Sequence, residues 1–307
     1  MPLAKVVALT GSTGFIGSNI LKSLLANNIR IKILVRNPNK ISIKHPNIEI
    51  IPGDLHSRSS LLNLTSNVDA IIHCAGRVKG ATASDFANDN IQGTKNILFA
   101  TVKNNITRFI LISSLSAREP TISDYAHSKY ASEAALMQSQ LKQWTIIRPP
   151  AMYGPGDTEL KPVFDWMKRG ILWVPGSLNQ QFSLLHVADL SQLIIDQLSS
   201  SNQYGKTLEP DDGNRYNWQK IQQISSVFFN KNIIILRLPS FLLSLVAHLN
   251  VLLSKPLNYS PMLTPGKVRE LLHDDWVSQD ASSIANWRPK VDLKIGLGTL
   301  YSSDEVN

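Results

Sequence analysis

The sequence predicts an α/β fold, in which helices cover both faces of a doubly wound parallel sheet and a smaller C-terminal α+β lobe follows. Short apolar runs alternate with helical stretches through the first half of the chain, and a glycine-rich turn joins the first run to the first helix. Beyond Pro149 the pattern changes, because prolines and scattered glycines separate shorter elements. We therefore expect one lobe over residues 1–149 and a second over residues 150–307, with one or more segments of the second lobe rejoining the sheet.

Six apolar runs have the length of buried parallel strands. They are Lys5–Leu9, Arg30–Val35, Ile48–Ile51, Ala70–Cys74, Arg108–Ser113 and Trp144–Ile147. In the second half, helices are predicted at Val187–Leu198 and Tyr216–Phe229, and Ile233–Leu236 is predicted to be a strand that rejoins the first sheet. The run from Phe241 to Leu253 is too short to span a bilayer and contains polar residues, so we expect an amphipathic or buried helix there.

A glycine motif, Thr10-Gly11-Ser12-Thr13-Gly14-Phe15-Ile16-Gly17, lies between the first strand and the first helix. Gly11 permits a tight turn, Gly14 lets a pyrophosphate approach the backbone, and Gly17 lets the helix pack close to the strand. Glycines at this spacing also occur in plain turns, but their position between strand and helix predicts a dinucleotide site.

Tyr125 and Lys129 form a second motif, a hundred residues downstream. On a helix their side chains share one face, with β-carbons about 5–6 Å apart. A phenol with a pKa of about 10 is a poor acid-base catalyst at neutral pH, and a nearby ammonium group lowers that pKa by stabilising the phenolate. The pair therefore predicts acid-base chemistry beside the bound dinucleotide.

With both motifs in place, the chain resembles the extended short-chain dehydrogenase/reductase superfamily over nearly its whole length. Further landmarks of the superfamily occur in its order: Gly53-Asp54-Leu55, His73-Cys74-Ala75-Gly76, Asn90-x-x-Gly93-Thr94, Leu111-Ile112-Ser113-Ser114, Arg148-Pro149, Tyr153-Gly154-Pro155-Gly156-Asp157, His186-Val187-Ala188-Asp189-Leu190 and Asn286-Trp287-Arg288-Pro289. The resemblance implies a Rossmann lobe followed by a substrate-binding lobe.

The resemblance also implies roles for individual residues. Tyr125 would protonate a carbonyl oxygen, Lys129 would lower the pKa of Tyr125 and hold the nicotinamide ribose, and Ser114 would donate to the developing oxyanion, with Ser113 and Ser116 as alternatives. The cofactor would be held by Gly11, Thr13, Gly14, Phe15, Ile16, Gly17, Arg36, Asp54, Leu55, Cys74, Ala75, Gly76, Tyr125, Lys129 and Pro149. We predict no metal site.

The end of the second strand favours NADP over NAD. An NAD-specific enzyme often has an acidic residue here for the ribose 2′-hydroxyl. This chain has Arg36, whose guanidinium matches a 2′-phosphate, and Lys40 adds charge; otherwise Arg36 is a solvated strand-end residue. Asp54 lies where relatives place a carboxylate near the adenine, although it could equally cap the turn into the next helix.

Two positions bear on the substrate. Sugar-nucleotide enzymes of the superfamily usually have an Asn after Arg-Pro and an Arg before His-Val-x-Asp, both directed at a diphosphate. Here Ala151 and Phe182 occupy these positions, and a diphosphate without paired donors is poorly held. We therefore expect an apolar ketone or secondary alcohol, as in the hydroxysteroid dehydrogenase and dihydroflavonol reductase-like branch. Trp173 and Met152 either line this cleft or belong to the core.

Three classes of function remain open: an NADP(H)-dependent oxidoreductase, which we favour, a nucleotide-sugar epimerase or dehydratase, and a cofactor-binding regulator without turnover. The intact Ser114, Tyr125 and Lys129 argue against the regulator. Relatives often dimerise through the helices that carry Tyr125 and Asn90, so a homodimer is a further expectation.

Composition restricts the partners. The 307 residues are 43% apolar, and the formal net charge is +8 with a pI near 9.5. The cationic residues are dispersed without interleaved aromatic residues, which argues against nucleic acid, while peripheral contact with an anionic membrane remains compatible with the charge. Cys74, the single cysteine, cannot form an internal disulfide and is expected to fill space in the core. With no predicted signal peptide or spanning segment, we expect a cytoplasmic protein.

Overall fold

The computed structural model describes residues 4–41, 43–254, 256–257, 259–279, 281, 284 and 287–302. The landmark residue Asn286 therefore lies outside the described residues. Within them, the strands are β1 (Val6–Thr10), β2 (Arg30–Val35), β3 (Ile48–Pro52), β4 (Ala70–His73), β5 (Arg108–Ile112), β6 (Gln143–Ile147), β7 (Ala151–Tyr153), β8 (Ile171–Pro175), β9 (Gln181–Phe182), β10 (Leu184–His186), β11 (Lys206–Leu208), β12 (Ile234–Leu238) and β13 (Asp275–Trp276).

The α-helices alternate with these strands. They are α1 (Phe15–Ala26), α2 (Arg58–Leu64), α3 (Ala83–Phe86), α4 (Gly93–Lys103), α5 (Asp124–Met137), α6 (Lys161–Lys168), α7 (Val187–Ser199), α8 (Trp218–Phe229), α9 (Ser240–Ser254), α10 (Pro265–Leu272) and α11 (Leu293–Ser302). A π-helical turn, Ala87–Gln92, connects α3 to α4, and a 3-10 turn, Leu115–Arg118, follows β5.

A seven-stranded parallel sheet forms the centre of the molecule, in the order β11-β6-β5-β4-β1-β2-β3. The doubly wound Rossmann prediction is confirmed. Each of the six predicted strands is present, with ends shifted by one residue at most. The strand order reverses between β1 and β4, and ligands of such sheets bind outside the carboxyl ends of the strands at this point.

One strand prediction was wrong. The segment predicted at Ile233–Leu236 forms β12, but it pairs with β8 in a separate two-stranded sheet. The edge of the main sheet beside β6 is instead occupied by β11, whose residues Lys206–Leu208 pair with Thr145–Ile147. The apolar run of β12 predicted a strand, and the structure leaves several of its side chains exposed. An apolar run does not specify the sheet that a strand joins, because this depends on pairing geometry.

Side chains from the two faces of the sheet form two apolar clusters, because successive residues of a strand point to opposite sides. Val7 and Leu9 of β1 pack with α1 and α7, whereas Ala8 packs with residues of α2 and α4. A third cluster unites α6, β8, α8 and α11 in the C-terminal half, with Phe164 and Leu297 among its buried members. Covering both faces of the main sheet leaves its strand ends as the place for a ligand.

The helix predicted between Phe241 and Leu253 is present as α9, but it is not a buried helix. Most of its apolar side chains are exposed, while Ala247 and Ser254 are buried. Among the described residues, no helix combines the length and apolar character required to cross a bilayer.

Candidate active site

The turn after β1 is shaped by glycines that leave no room for side chains. Gly11 has a φ of +76°, and a β-carbon there would lie 2.7 Å from the backbone nitrogen of Ala75. A β-carbon on Gly17 would lie only 2.0 Å from the carbonyl oxygen of Gly11. Gly14 precedes α1 without a side-chain cap, so the first amide groups of this helix lack a side-chain partner and could bind an anion.

The hydroxyl of Ser12 also indicates an anion site at this turn. Its side chain is buried, and its hydroxyl has no hydrogen-bond partner among the described residues. Buried hydroxyls are normally paired, and a phosphate oxygen at the helix N-terminus would pair this one. Thr13 is exposed, and Phe15 and Ile16 are partly exposed on the first turn of α1. These residues fit a dinucleotide pyrophosphate.

The loop after β4 is fixed against this turn by hydrogen bonds from buried groups. The hydroxyl of Thr10 accepts from the backbone N–H of Ala75 at 3.1 Å and contacts Nδ1 of His73 at 2.7 Å. Burial lowers the pKa of His73 to about 3, with Lys129 as a further cause, so the imidazole is neutral. Burial raises the pKa of Cys74 to about 12, which leaves an inert thiol next to the core.

Gly76, at the end of the loop after β4, lies close to Asn90 and to the predicted catalytic residue Lys129. A β-carbon on Gly76 would lie 3.0 Å from Oδ1 of Asn90 and 3.9 Å from Nζ of Lys129. The same Oδ1 atom accepts from the backbone N–H of Arg77 at 2.6 Å, and Nδ2 of Asn90 donates to the Ser128 hydroxyl at 2.8 Å. Asn90 therefore ties the loop to α5.

Tyr125 and Lys129 lie on α5, as their spacing predicted. The helix begins after Ser123, whose side chain accepts from the backbone N–H of Ala126, so the first turn is firmly placed. Lys129 is buried, and its Nζ donates to the carbonyl oxygen of Ile112 at 2.7 Å. The Ser114 side chain lies close enough to Tyr125 to lower the pKa of its phenol. The structure thus places Ser114 near Tyr125, one helical turn from Lys129.

The three serines after β5 have different partners. The Ser113 hydroxyl donates to Glu133 at 2.5 Å, which commits it to a buried ion-pair network. The Ser116 hydroxyl donates to Ser114 at 2.9 Å and supports it. Ser114 is the member of this group that pairs with Tyr125, so the contacts favour it over the two alternatives.

The pKa of Tyr125 is raised, not lowered as the sequence led us to expect. Burial is the main cause, because it disfavours the phenolate; Ser114 opposes this effect, and the negative charges of Glu270 and Glu159 add to it. The groups that act on the phenol do not include Lys129, whose ammonium group donates to the carbonyl of Ile112. The phenol consequently stays protonated at neutral pH, which is the form a proton donor requires.

Burial also lowers the pKa of Lys129, while Cys74 and Glu133 oppose this effect. Glu133 belongs to a network beneath the site: its carboxylate accepts from Nε and NH2 of Arg148 at 2.9 and 2.7 Å. Arg148 reaches Glu209 at 3.2 Å as well. These buried charges join β6, α5 and the segment after β11 into one support for the catalytic helix.

The other residues predicted to hold the cofactor lie after strands of the same sheet. Arg36 follows β2 with an exposed side chain, and it has no hydrogen bond or ion pair within the described part of the chain. The Asp54 carboxylate accepts from the backbone N–H groups of His56 and Ser57 at 2.8 and 3.0 Å, so it caps the turn before α2. The carbonyl of Leu55 accepts from Asn96 at 2.8 Å, and that of Pro149 from the Leu115 N–H at 2.9 Å. The side chain of Lys40 lies outside the described residues.

Two acidic residues near Tyr125 were missed by the sequence analysis. Glu159 lies before α6 and Glu270 lies on α10, and both act electrostatically on the phenol. Glu270 also accepts a hydrogen bond from Ser123 at the start of α5. No motif marks these residues, because they are far from Tyr125 in the sequence and meet it only through the fold.

The residues considered for the substrate side have mostly aromatic neighbours, and Phe182 packs against the core of the C-terminal half. Phe182 stacks on Tyr216 with ring centroids 6.5 Å apart and contacts Trp218 at 5.0 Å. Trp173 lies on β8, in the two-stranded sheet with β12, and forms an edge contact with Trp166 of α6 at a centroid distance of 6.2 Å. Met152 packs against the main core and is partly buried. Of the two residues considered for lining the cleft, Met152 therefore belongs at least in part to the core.

Comparison with known proteins places this arrangement in a family. Residues 11–165 match the family described as NAD(P)H-binding, and the chain belongs to it. It is an NAD(P)-dependent oxidoreductase of the extended short-chain dehydrogenase/reductase type, which confirms the resemblance seen in the sequence.

Individual relatives cover most of the chain. A ceramide reductase of Caulobacter vibrioides is 32% identical over 277 residues, covering 90% of this chain and 87% of the relative. A UDP-glucose 4-epimerase of Vibrio cholerae is 28% identical over 231 residues, covering 66% and 70%. The solved structure of MoeE5 in complex with UDP-glucuronic acid and NAD superimposes with a TM-score of 0.73 at 17% identity, covering 98% of this chain and 99% of that chain, which supports the fold.

Proposed function

We propose that this enzyme is an NADPH-dependent reductase of ketones in apolar, lipid-like molecules. The observation that carries the proposal is the proximity of a half-buried, protonated Tyr125 to Ser114, one helical turn from the buried Lys129. NADPH, when bound, supplies the hydride for the carbonyl carbon. Tyr125 donates its proton to the carbonyl oxygen, and the Ser114 hydroxyl stabilises the negative charge that develops there.

The assignment of these residues rests on their contacts. Ser114, Tyr125 and Lys129 are proposed as catalytic residues. Tyr125 and Lys129 together with Gly11, Thr13, Gly14, Phe15, Ile16, Gly17, Arg36, Leu55, Cys74, Ala75, Gly76 and Pro149 are proposed to hold the cofactor. Asp54 is proposed to affect the cofactor only by shaping the turn before α2, because its carboxylate accepts from backbone N–H groups of that turn.

NADP is the proposed cofactor because of Arg36. Its guanidinium is exposed at the end of β2, and no acidic side chain follows the strand to accept from a ribose 2′-hydroxyl. A cation without an ion pair in the described residues is available for a 2′-phosphate. The basic character of the chain agrees with a phosphorylated cofactor.

The substrate proposal rests on charge and on one relative. Phe182 packs into an aromatic group where sugar-nucleotide enzymes have an arginine, and Glu159 and Glu270 add negative charge near Tyr125. Both features disfavour a diphosphate and are compatible with an apolar ketone. The similarity to a ceramide reductase over 90% of the chain favours a long-chain lipid within this class.

A nucleotide-sugar epimerase is the second candidate, because a UDP-glucose 4-epimerase is among the relatives. To separate the two, NADPH oxidation is measured with long-chain keto-lipids, keto-steroids and aryl ketones, and epimerisation is measured with UDP-sugars. We expect turnover of the apolar ketones, abolished by Tyr125→Phe and reduced by Ser114→Ala.

Tyr130→Phe is the matched control, because Tyr130 lies on the same helix and is exposed. It should retain the activity of the unaltered enzyme. Conversion of a UDP-sugar, without turnover of any apolar ketone, would establish the second candidate in place of the first.

A further inference from the structure

Helix α9 directs an apolar stripe away from the protein. The exposed members of the stripe are Phe241, Leu242, Leu245, Val246, Leu249, Leu252 and Leu253. At about 100° per residue, they fall within an arc of about 140° on one side of the helix. Phe241 and Leu252 are 72% and 70% exposed, whereas Ala247 on the other side is fully buried. Surface helices normally have the opposite arrangement, with the polar face toward solvent.

The segment after α9 enlarges the same surface. Leu257, Tyr259 and Met262 are exposed, and Tyr259 donates its hydroxyl proton to Asn250 of α9, with 2.5 Å to Oδ1. Nδ2 of Asn250 in turn donates to the carbonyl of Leu263 at 2.9 Å. These bonds hold the segment against the helix, so the apolar side chains form one surface. Contiguous apolar surfaces of this kind mark a docking site.

The charges around this surface are mostly positive. Residues 231–275 contain five lysines and arginines and three acidic residues, so this segment has a formal net charge of +2. Of the acidic residues, Asp274 and Asp275 are exposed after α10, and Glu270 is buried and paired with Lys267 and Ser123. Arg237 and Arg269 are exposed before and after α9, and α9 itself has no charged residue. An apolar face with cationic neighbours complements an anionic lipid surface.

This surface lies close to the candidate active site. α10 packs on α9, and Glu270 of α10 accepts a hydrogen bond from Ser123 at the start of α5. Arg269 of α10 donates to the carbonyl of Ile122 at 2.7 Å. One helix therefore connects the apolar surface to the N-terminus of the helix that carries Tyr125.

We propose that α9 and the segment through Met262 form a membrane-docking surface, which lies in the interface of a bilayer rich in anionic lipid. The helix of 15 residues is about 22 Å long, too short to cross the hydrocarbon core but able to lie along its boundary. Docking would present the cleft to lipids of the same bilayer; this consequence, unlike the docking itself, rests on the proposed function.

A bilayer fits this surface better than a second copy of the chain. In a two-fold dimer the same patch meets itself, so the cationic residues bordering the patch on both subunits would be brought closer together. Anionic headgroups would neutralise them instead. A dimer is retained as an outcome of the test.

The test is flotation of the full-length protein with vesicles of phosphatidylcholine alone or with phosphatidylglycerol added. We expect binding to the anionic vesicles, weakened by added salt. Leu245→Glu with Leu252→Glu should lower the partition coefficient at least about tenfold, because two apolar contacts become charged. Glutamate is a good helix former, so α9 should persist.

The matched control is Val227→Glu with Ile295→Glu, two exposed apolar side chains on α8 and α11. It should bind vesicles like the unaltered protein. Equal loss in both double variants, or no loss in the α9 variant, would overturn the proposal. The assay contains no substrate, so its result is independent of the proposed catalytic activity.

A second measurement avoids the charged variants. Leu249→Cys introduces a labelling site on α9, and the native Cys74 is unreactive because burial raises its pKa to about 12. An environment-sensitive fluorophore at position 249 should shift to the blue when anionic vesicles are added. Three results together would assign the surface to a second copy. The probe would already be shielded in lipid-free buffer, the protein would sediment as a dimer, and the fluorescence would not respond to vesicles.

Discussion

The Nζ atom of Lys129 donates a hydrogen bond of 2.7 Å to the carbonyl oxygen of Ile112, the last residue of β5. This bond fixes the catalytic helix to the carboxyl end of the sheet. Because Lys129 is buried, its ammonium group has no alternative solvation by bulk water. The lysine therefore acts as a positioning group for α5, and its contact with a nicotinamide ribose remains a proposal.

Replacing Lys129 with alanine should affect both binding and turnover. The variant loses the donor to Ile112 and the charge near the cofactor loop, so we expect NADP affinity to fall and kcat/KM to fall by about 10²–10⁴. Cofactor fluorescence titration and steady-state kinetics measure the two effects. Lys95→Ala, an exposed residue of α4, is the control and should leave both quantities unchanged.

Tyr125 should support reduction over a wide pH range. Its folded-state pKa is raised above the ordinary value of about 10. The phenol therefore remains a proton donor until the pH exceeds this raised pKa. The kcat/KM for ketone reduction should therefore show no decline from Tyr125 ionisation below about pH 10. A pH profile with an apparent pKa near 7 that disappears in Tyr125→Phe would contradict this expectation.

Arg36 should determine the preference between the two cofactors. We expect NADP to bind more tightly than NAD, and Arg36→Ala to weaken NADP binding by roughly ten- to a hundredfold while leaving NAD binding unchanged. Arg30→Ala is the matched control, because Arg30 lies exposed at the opposite end of β2. Equal affinities of the unaltered protein for NADP and NAD would remove the assignment.

Alanine substitutions at two glycines should separate stability from cofactor binding. In Gly17→Ala the new β-carbon meets the Gly11 carbonyl at 2.0 Å, so α1 must shift and the melting temperature should fall. In Gly14→Ala the nearest contact is an ordinary 3.5 Å, so stability should persist while cofactor affinity falls. Thermal denaturation and titration of both variants provide the comparison. The interpretation fails if Gly14→Ala binds cofactor normally.

Glu133→Gln should destabilise the fold. The buried carboxylate pairs with Arg148 and accepts from Ser113, and removing its charge leaves part of that network without a partner. We expect a loss of about 3–5 kcal/mol in the free energy of unfolding. Glu49→Gln, in an exposed ion pair with Lys32, should cost only about 0–1 kcal/mol. Similar losses in the two variants, by urea denaturation, would contradict the network's role.

The sequence by itself determined the fold class, the glycine turn and the placement of Tyr125 and Lys129 on one helix. Each of these is a local pattern: strand–glycine–helix order identifies the turn, and a spacing of four residues places Tyr125 and Lys129 on one face of a helix. Such patterns depend on neighbouring residues and are readable before the chain folds.

The tertiary structure decided what depends on distant residues. It assigned the main-sheet edge to β11 instead of the segment at Ile234–Leu238, because strand pairing depends on geometry and not on apolar content alone. It raised the pKa of Tyr125, because burial and the negative charges of Glu270 and Glu159 outweigh the opposing effect of Ser114. It also turned the apolar side of α9 outward, since helical periodicity fixes which residues share a face but not which face meets the core.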